Sequence, residues 1–318
     1  MRIKVQYSLG IPRGEPRGLL NEMSFSSPSH GWAIGSERIL KTIDGGQTWK
    51  NVFPSPGFFA YAQSNSLCTP SDQICWMGST FFCECCFTRD SGRTWERLSL
   101  GRGMRVECMC FPTATIGWMI TKDPQIPKGP TVLWTTNSGG TAWEQREIIL
   151  AGHPRILRCR DGRNAWLLES LSRRNGNASS RILRTDDRGV TWNKVAEIDD
   201  LVSDFDIEQT GNLIASGIGG VYRIDGRDGI VHPILKSAMG MNGIKLLSNG
   251  QVLAMGDEGC LALSKDRGQT WDVFQAVIDS NLIAAHEVSK TRFLLLAEES
   301  IIEVRLSRSP NERKASLA

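Results

Sequence analysis

The sequence predicts an all-β fold, a single seven-bladed β-propeller. Three observations predict it: one short motif recurs along the chain, its period matches the length of a four-stranded blade, and tryptophan is unusually frequent. The chain has 318 residues with 10 Trp beside 3 Tyr. Propellers repeat a unit of about 40–45 residues and exceed the usual domain size of about 150 residues. The length therefore does not require two domains.

The recurring motif has the pattern S/T-x-D-x-G-x-T-W. Four copies occupy 42–49, 88–95, 185–192 and 264–271. A looser copy at 135–143 has Asn137 in place of the Asp and Ala142 as an extra residue. The last interval between copies is about double the others, and Asp225 near its middle marks a further unit, which gives a period of about 40–50 residues. The predicted structural motif residues are Asp44, Trp49, Asp90, Trp95, Asn137, Trp143, Asp187, Trp192, Asp266 and Trp271.

Each unit predicts four antiparallel strands. In the first unit these are 19–25, 32–34, 38–42 and 49–53, and the motif forms the turn between the third and fourth strands. Its glycines suit positive φ, and the Asp and Thr oxygens can accept turn N–H groups. The tryptophans bury a large area between neighbouring blades. We therefore expect the motif to stabilise a turn rather than to bind a ligand.

The N-terminus is predicted to close the ring. The last unit has strands at 282–288, 293–297 and 301–306 but no fourth strand, while the alternating segment 3–7 has no blade of its own. Adding that segment to the last blade removes two open sheet edges. We predict one domain over 1–306 and a polar, flexible tail over 307–318.

Composition excludes two classes of partner. Lys+Arg 37 against Asp+Glu 34 gives a net charge of +3, too small to indicate a nucleic-acid binder. No apolar stretch approaches the length of about 18 residues that a membrane helix needs. The segment 1–7 alternates instead of forming a signal-peptide core. We expect no nucleic acid, no membrane span, a monomer and a cytoplasmic location, with an exported mature form as the alternative.

The motif is the Asp-box, or BNR repeat, found in sialidases and other propellers. Its longer context in the first unit is Met23-Ser24-Phe25, Gly31-Trp32-Ala33-Ile34-Gly35 and Leu40-Lys41-Thr42-Ile43-Asp44-Gly45-Gly46, followed by Thr48-Trp49. This pattern resembles the photosystem II stability/assembly factor family over nearly the whole chain. The resemblance implies a seven-bladed Asp-box propeller that acts as a non-catalytic protein-interaction scaffold or assembly factor.

A partner surface is predicted on the face opposite the box turns, here called the loop face. Blades 3 and 4 have the longest loops between their second and third strands, at 121–130 and 170–180. Cations of these loops and of the neighbouring inter-blade connections predict a protein partner with an acidic or carboxylate-bearing surface, docked on the arginine-rich loop face of blades 2–4. A solvated rim of an arginine-rich protein is the alternative. The residues are Arg97, Arg102, Arg105, Lys122, Lys128, Arg146, Arg155, Arg173 and Arg174.

Catalysis is the competing function. A small carbohydrate-active, lyase or cyclase-type enzyme, or a lectin-like sugar binder, could use the open face of a propeller. A sialidase needs a Tyr–Glu pair, and only Tyr7, Tyr61 and Tyr222 are present. We assign no catalytic residue and expect no cofactor.

Seven of the nine cysteines lie between Cys68 and Cys110. On a strand, Cys83 and Cys85 share a face while Cys86 points the other way, so the three do not chelate one ion without a bulge. Buried thiols are the simplest interpretation, and we expect no metal. A Cys68–Cys75 disulfide is the alternative, although the odd total and the expected cytoplasmic location favour reduced thiols.

Overall fold

The computed structural model describes residues 2–6, 19–35, 38–52, 66–78, 84–101, 103–123, 125–126, 129–172 and 178–307. These residues form seven four-stranded antiparallel sheets. The predicted seven-bladed β-propeller is confirmed. The predicted tail beyond 307 and Tyr7 lie outside the described residues.

Strands within each blade follow chain order from the centre of the ring to its rim, apart from the seventh blade. The chain opens with β1 (Arg2–Gln6). Blade 1 contains β2 (Leu20–Phe25), β3 (Gly31–Gly35), β4 (Arg38–Thr42) and β5 (Lys50–Asn51). Blade 2 contains β6 (Ser66–Cys68), β7 (Cys75–Gly78), β8 (Glu84–Thr88) and β9 (Glu96–Ser99). Blade 3 contains β10 (Arg105–Cys110), β11 (Gly117–Lys122), β12 (Thr131–Thr136) and β13 (Glu144–Ile148).

The second half of the ring repeats this order. Blade 4 contains β14 (His153–Cys159), β15 (Ala165–Ser172), β16 (Ala178–Thr185) and β17 (Asn193–Ile198). Blade 5 contains β18 (Val202–Ile207), β19 (Leu213–Gly217), β20 (Gly220–Ile224) and β21 (Val231–Lys236). Blade 6 contains β22 (Met241–Leu246), β23 (Val252–Gly256), a 3₁₀ turn (Asp257–Gly259), β24 (Leu261–Ser264) and β25 (Asp272–Phe274). Blade 7 contains β26 (Leu282–Ser289), β27 (Arg292–Ala297) and β28 (Ile301–Ser307).

The two ends of the chain meet in blade 7. β1 pairs antiparallel with β28, from Arg2 opposite Ser307 to Gln6 opposite Glu303. The N-terminal strand thus supplies the outermost strand and closes the ring, as predicted. Among the described residues, no helix has the length and hydrophobicity that a membrane crossing requires.

Tryptophans of the second strands seal the contacts between blades. Trp32 and Trp76 are fully buried. Each lies against the glycine at the fifth box position of the next blade: a Cβ on Gly92 would come within 2.9 Å of Trp32, and one on Gly140 within 2.4 Å of Trp76. Both glycines have φ of +84°. Glycine is required at both positions for two reasons: φ is positive, and the packed indole leaves no room for a Cβ.

In each blade, one residue of the innermost strand lies directly opposite the second-strand position that is tryptophan in blades 1 to 4. Residues at this position contact the neighbouring blade. Ser24 Oγ lies 2.7 Å from Thr69 Oγ1 of blade 2. Asp206 of blade 5 accepts from the Leu246 N–H of blade 6 at 3.1 Å. Such links occupy the free edges of these strands. The seven residues at this position are Ser24, Cys68, Cys110, Arg158, Asp206, Lys245 and His286.

Two of these links correct the cysteine expectation. Cys110 of blade 3 and Cys159 of blade 4 form a disulfide, with their Cα atoms 6.0 Å apart. Cys68 and Cys75 are both free, and Cys68 instead donates to the Met109 carbonyl. The chain order of the cysteines did not indicate this pairing, because it depends on how two inner strands 49 residues apart meet across a blade boundary.

Candidate partner-binding surface on blades 3 and 4

The box turns lie on one face of the ring and satisfy their own hydrogen bonds. Asp90 accepts from the Thr94 N–H at 2.8 Å, from Thr94 Oγ1 at 2.6 Å and from Thr88 Oγ1 at 2.9 Å. These bonds, chiefly from the Thr94 hydroxyl and N–H, lower the pKa of Asp90 to about 2. The same contacts recur at Asp44, Asp187 and Asp266. A carboxylate so engaged has little capacity left for a ligand.

The box of blade 3 differs by one residue from the sequence assignment. Ser138, not Asn137, occupies the Asp position: its hydroxyl accepts from the Ala142 N–H at 3.0 Å, and the Gly140 N–H donates to Thr136 Oγ1 at 3.0 Å. Ala142 therefore takes the place of the box threonine rather than being an extra residue. Asn137 is exposed. Because serine can supply the same acceptor as aspartate, the turn closes without the motif residue.

The box tryptophans pack on the preceding blade. Trp95 meets Trp32 edge-on at 5.8 Å and Trp143 meets Trp76 at 5.9 Å between ring centroids, and Trp49 packs in the cluster that contains Leu294 and Leu296 of blade 7. Such T-shaped pairs are favourable beyond their buried area. Trp192 packs against the cluster that contains Trp118, and Trp271 donates to the Ile234 carbonyl at 3.0 Å.

The predicted loop-face cations separate into three groups. Arg102, Lys128, Arg173 and Arg174 lie outside the described residues. The other cations lie in strands, not in the inter-blade connections or loops where they were expected. Arg97 and Arg146 are on the outermost strands β9 and β13, and Arg146 donates to the Arg188 carbonyl of the blade 4 box turn at 3.4 Å. These two therefore lie at the outer edge of the ring, whereas Arg105, Lys122 and Arg155 lie on the two inner strands of their blades.

A buried carboxylate holds the inner cations of blade 3 in place. Glu107 in β10 is only 5% exposed. Its Oε1 lies 3.2 Å from Arg105 Nε and its Oε2 lies 3.1 Å from His153 Nε2 of blade 4. Burial alone would raise the pKa of Glu107, but the hydrogen bonds and charges of His153 and Arg105 more than offset it and lower that pKa. Lys122 lies directly opposite Arg105 in the neighbouring strand.

A second buried carboxylate does the same in blade 4. Glu169 has no exposed surface. Its Oε2 accepts from the Gly152 N–H at 2.8 Å, and its Oε1 accepts from Arg181. Arg181 remains partly exposed, and Arg155 in β14 is exposed. The two buried acids thus fix cations of adjacent blades at the loop-face end of their strands.

Two isoleucine side chains in the connections of blade 3 are exposed. Ile149, directly after β13, is 99% exposed, and Ile126 in the β11–β12 loop is 51% exposed.

Sequence reasoning missed His153, Arg181 and the two acids that organise them. A signal was present: Glu169 is the single charge of β15, and Glu107 lies between the apolar residues Val106 and Cys108 of β10. Such a residue is seldom buried without a partner. His153 and Arg181 come from other strands, so the sequence did not identify them.

No family model matches the chain. Photosystem II assembly lipoprotein Ycf48 of Synechococcus sp. (strain CC9902) is 24% identical over 263 residues, which cover 79% of this chain and 74% of that relative. The resemblance to the photosystem II assembly-factor family is confirmed.

Solved structures with Ycf48 names share the propeller. A structure described as YCF48 bound to D1 peptide has a TM-score of 0.72 at 20% identity, covering 96% of this chain and 97% of that chain. YCF48 from Cyanidioschyzon merolae has a TM-score of 0.68 at 17% identity, with 96% and 98% covered. At these identities the structural likeness to the assembly factors concerns the fold.

The cysteine run of blade 2 does not converge in the part of the chain that is described. Cys85 packs with Trp76 in the cluster shared with blade 3, whereas Cys86 packs with Trp32 in the cluster shared with blade 1. Burial raises the pKa of Cys85 well above that of a free thiol, which disfavours the thiolate that binds metals. Cys83 lies outside the described residues. Within those ranges, no group of three or more His, Cys, Asp or Glu side chains is placed to hold a metal ion.

Proposed function

We propose that this protein is a non-catalytic interaction scaffold, an assembly factor that binds a carboxylate-bearing segment of a protein partner on the loop face of blades 3 and 4. One observation carries the proposal: buried Glu107 and Glu169 hold Arg105, His153 and Arg181 in fixed positions at the loop-face end of blades 3 and 4. Pre-positioned cations lower the entropy lost on binding an anion. The name of the Synechococcus relative and the D1 peptide in the similar structure support a partner that is a protein.

An enzyme on the same face is not favoured. Acid–base catalysis requires a carboxylate that can take or give a proton at the substrate. Glu107 and Glu169 are buried beneath the cations they bind, so their oxygens face protein donors. What the surface offers to a ligand is positive charge and apolar contact.

The test is a binding measurement with a fluorescent D1 peptide and the full chain. The double variant Lys122→Glu, Arg155→Glu reverses two cations that have no assigned ion pair with the buried acids. We expect its affinity to fall about 10-fold or more while the melting temperature stays near that of the wild type, because reversing an interface charge opposes an anionic partner and surface charges contribute little to stability. Affinity should also fall as salt is raised.

The matched control is Lys50→Glu, Arg93→Glu, which makes the same charge change at exposed positions of blades 1 and 2 away from this surface. The control should bind like the wild type. Equal binding by both double variants would overturn the proposed surface.

A further inference from the structure

A cation clasp recurs at the junctions between blades. In each case a Lys or Arg of one blade donates to the carbonyl of the fourth box residue in the next blade. For example, Lys41 Nζ of blade 1 donates to the Ser91 carbonyl at 3.1 Å, and Arg292 of blade 7 donates to the Gly45 carbonyl at 3.0 Å. The five donor–acceptor pairs are Lys41–Ser91, Arg89–Gly139, Arg146–Arg188, Arg223–Arg267 and Arg292–Gly45.

Arg184 of blade 4 is placed for the same contact but has no acceptor. It lies opposite Trp166 in the neighbouring strand, as Lys41 lies opposite Trp32. Its guanidinium is 5.4 Å from the Trp166 ring centroid, as Lys41 Nζ is 5.2 Å from that of Trp32. The turn of blade 5 at 225–230 lacks the box, however. Arg184 Nε is buried and has no hydrogen-bond partner among the described residues.

The other junction that leads into a blade without a box lies between blades 6 and 7. There the apolar Leu263 takes the position of Arg184, and the nearby Lys265 pairs with Asp272 of its own blade at 3.1 Å. Asp272 is the first residue of its outermost strand, where blade 4 has the amide Asn193. Asn193 lies directly opposite Arg184 and brings no negative charge. Arg184 is therefore a positioned cation whose directly opposite residue in the outermost strand is neutral.

A groove of about 250 Å³ opens beside Arg184, between β16 and β17 of blade 4 and the turn of blade 5. Its charged lining residues are Arg184, Lys194 and Arg227 against Asp186 and Asp228. Asp228 already accepts from the Ile230 N–H at 2.9 Å. The lining therefore has an excess of positive charge and an unpaired buried donor, which is costly unless an acceptor binds.

We propose that this groove binds a small oxyanion, a carboxylate or a phosphate, whose oxygen occupies the place that the box carbonyl takes at the other junctions. The planar guanidinium is held over Trp166 and lines the groove, so its terminal N–H groups can donate to the oxygens of one oxyanion. Lys194 and Arg227 add charge from either side of the groove. The site is independent of the loop face and of the partner proposed there.

The test is calorimetric titration of the full chain with inorganic phosphate and, separately, with succinate at constant ionic strength. Saturable binding of one ion per chain is expected for at least one of the two probes, and the probe that binds identifies the oxyanion. Arg184→Met keeps an apolar stem over Trp166 and removes the donors, so affinity should fall about 10-fold or more. Lys41→Met is the matched control at the equivalent position of blade 1 and should leave the affinity unchanged.

A second variant covers the case in which Arg184→Met does not fold. Asn193→Asp is isosteric, lies on an exposed strand and gives Arg184 an internal carboxylate, so it should abolish binding while the protein stays folded. Absence of saturable binding by either probe to the wild type, or wild-type affinity in Asn193→Asp, would overturn the proposed site.

Discussion

Carboxylates of the box turns and carboxylates of the innermost strands differ in what they hold. Asp90 bonds to atoms of its own turn, within four residues of chain. Glu107 bonds to Arg105 and to His153 of the next blade, and Glu22 of blade 1 has a buried oxygen with no partner among the described residues. An acid that bonds within its own turn stabilises that turn, whereas an acid that bonds to another blade fixes the positions of charged side chains on the inner strands.

The comparison also separates the most visible motif from the best candidate site. The Asp-box repeats because every turn of this kind needs the same acceptor. Its recurrence in the sequence therefore indicates a structural role. The inner-strand acids do not repeat, since each meets different neighbours. A function based on charge is therefore expected where the repeat is broken, in the innermost strands and at the blade 4–blade 5 junction.

The largest effect is expected at Glu22. Burial raises its pKa to about 8, against lowering by the Leu67 N–H and Arg158. A carboxyl with a raised pKa in the folded state favours folding below its unfolded value of 4.5, and that contribution is lost as the pH rises towards 8. Stability of the wild type should fall over this interval by at most about 1.4 kcal/mol per pH unit relative to Glu22→Gln. Urea unfolding of both proteins between pH 5 and 8 measures it, and parallel curves would show that Glu22 is ionised in the fold.

Glu107 should show the opposite pH dependence and a smaller effect. Its lowered pKa means that its contribution is present above the unfolded value of 4.5 and is lost as the pH falls through the folded value. Glu107→Gln should cost about 1–3 kcal/mol, because Arg105 loses its counterion and His153 loses its carboxylate partner. It should also weaken D1 peptide binding, since those cations are no longer held in place.

Asp90→Asn is the matched control, a change from acid to amide in a box turn of blade 2. It should alter stability but leave peptide affinity unchanged, because the turn lies on the other face. Loss of affinity in both variants would mean that the distinction between turn acids and inner-strand acids does not hold.

The part of the structure that follows from the repeat was predictable from sequence. Strand pairing within blades, the number of blades and closure by the N-terminal strand depend on a period and on local turn chemistry, which the chain displays directly. The Cys110–Cys159 disulfide, the Glu107–His153 pair and the missing acceptor of Arg184 depend on contacts between blades. Those contacts join residues more than 40 positions apart, and the sequence repeat does not predict them.

The smallest effect tests the one-residue correction in the box of blade 3. If Ser138 takes the Asp position, Ser138→Ala removes the acceptor of the Ala142 N–H and should lower the free energy of unfolding by about 0.5–1.5 kcal/mol. Asn137→Ala should change it by less than about 0.5 kcal/mol, as expected for an exposed side chain outside the turn bonds. Urea unfolding of the two single variants distinguishes the assignments. A larger loss of unfolding free energy in Asn137→Ala than in Ser138→Ala would show that Asn137 occupies the Asp position. The double variant Ser138→Asp, Ala142→Thr rebuilds the full box and should gain stability, since the new carboxylate accepts from both the backbone and the hydroxyl at 142, as Asp90 does at Thr94.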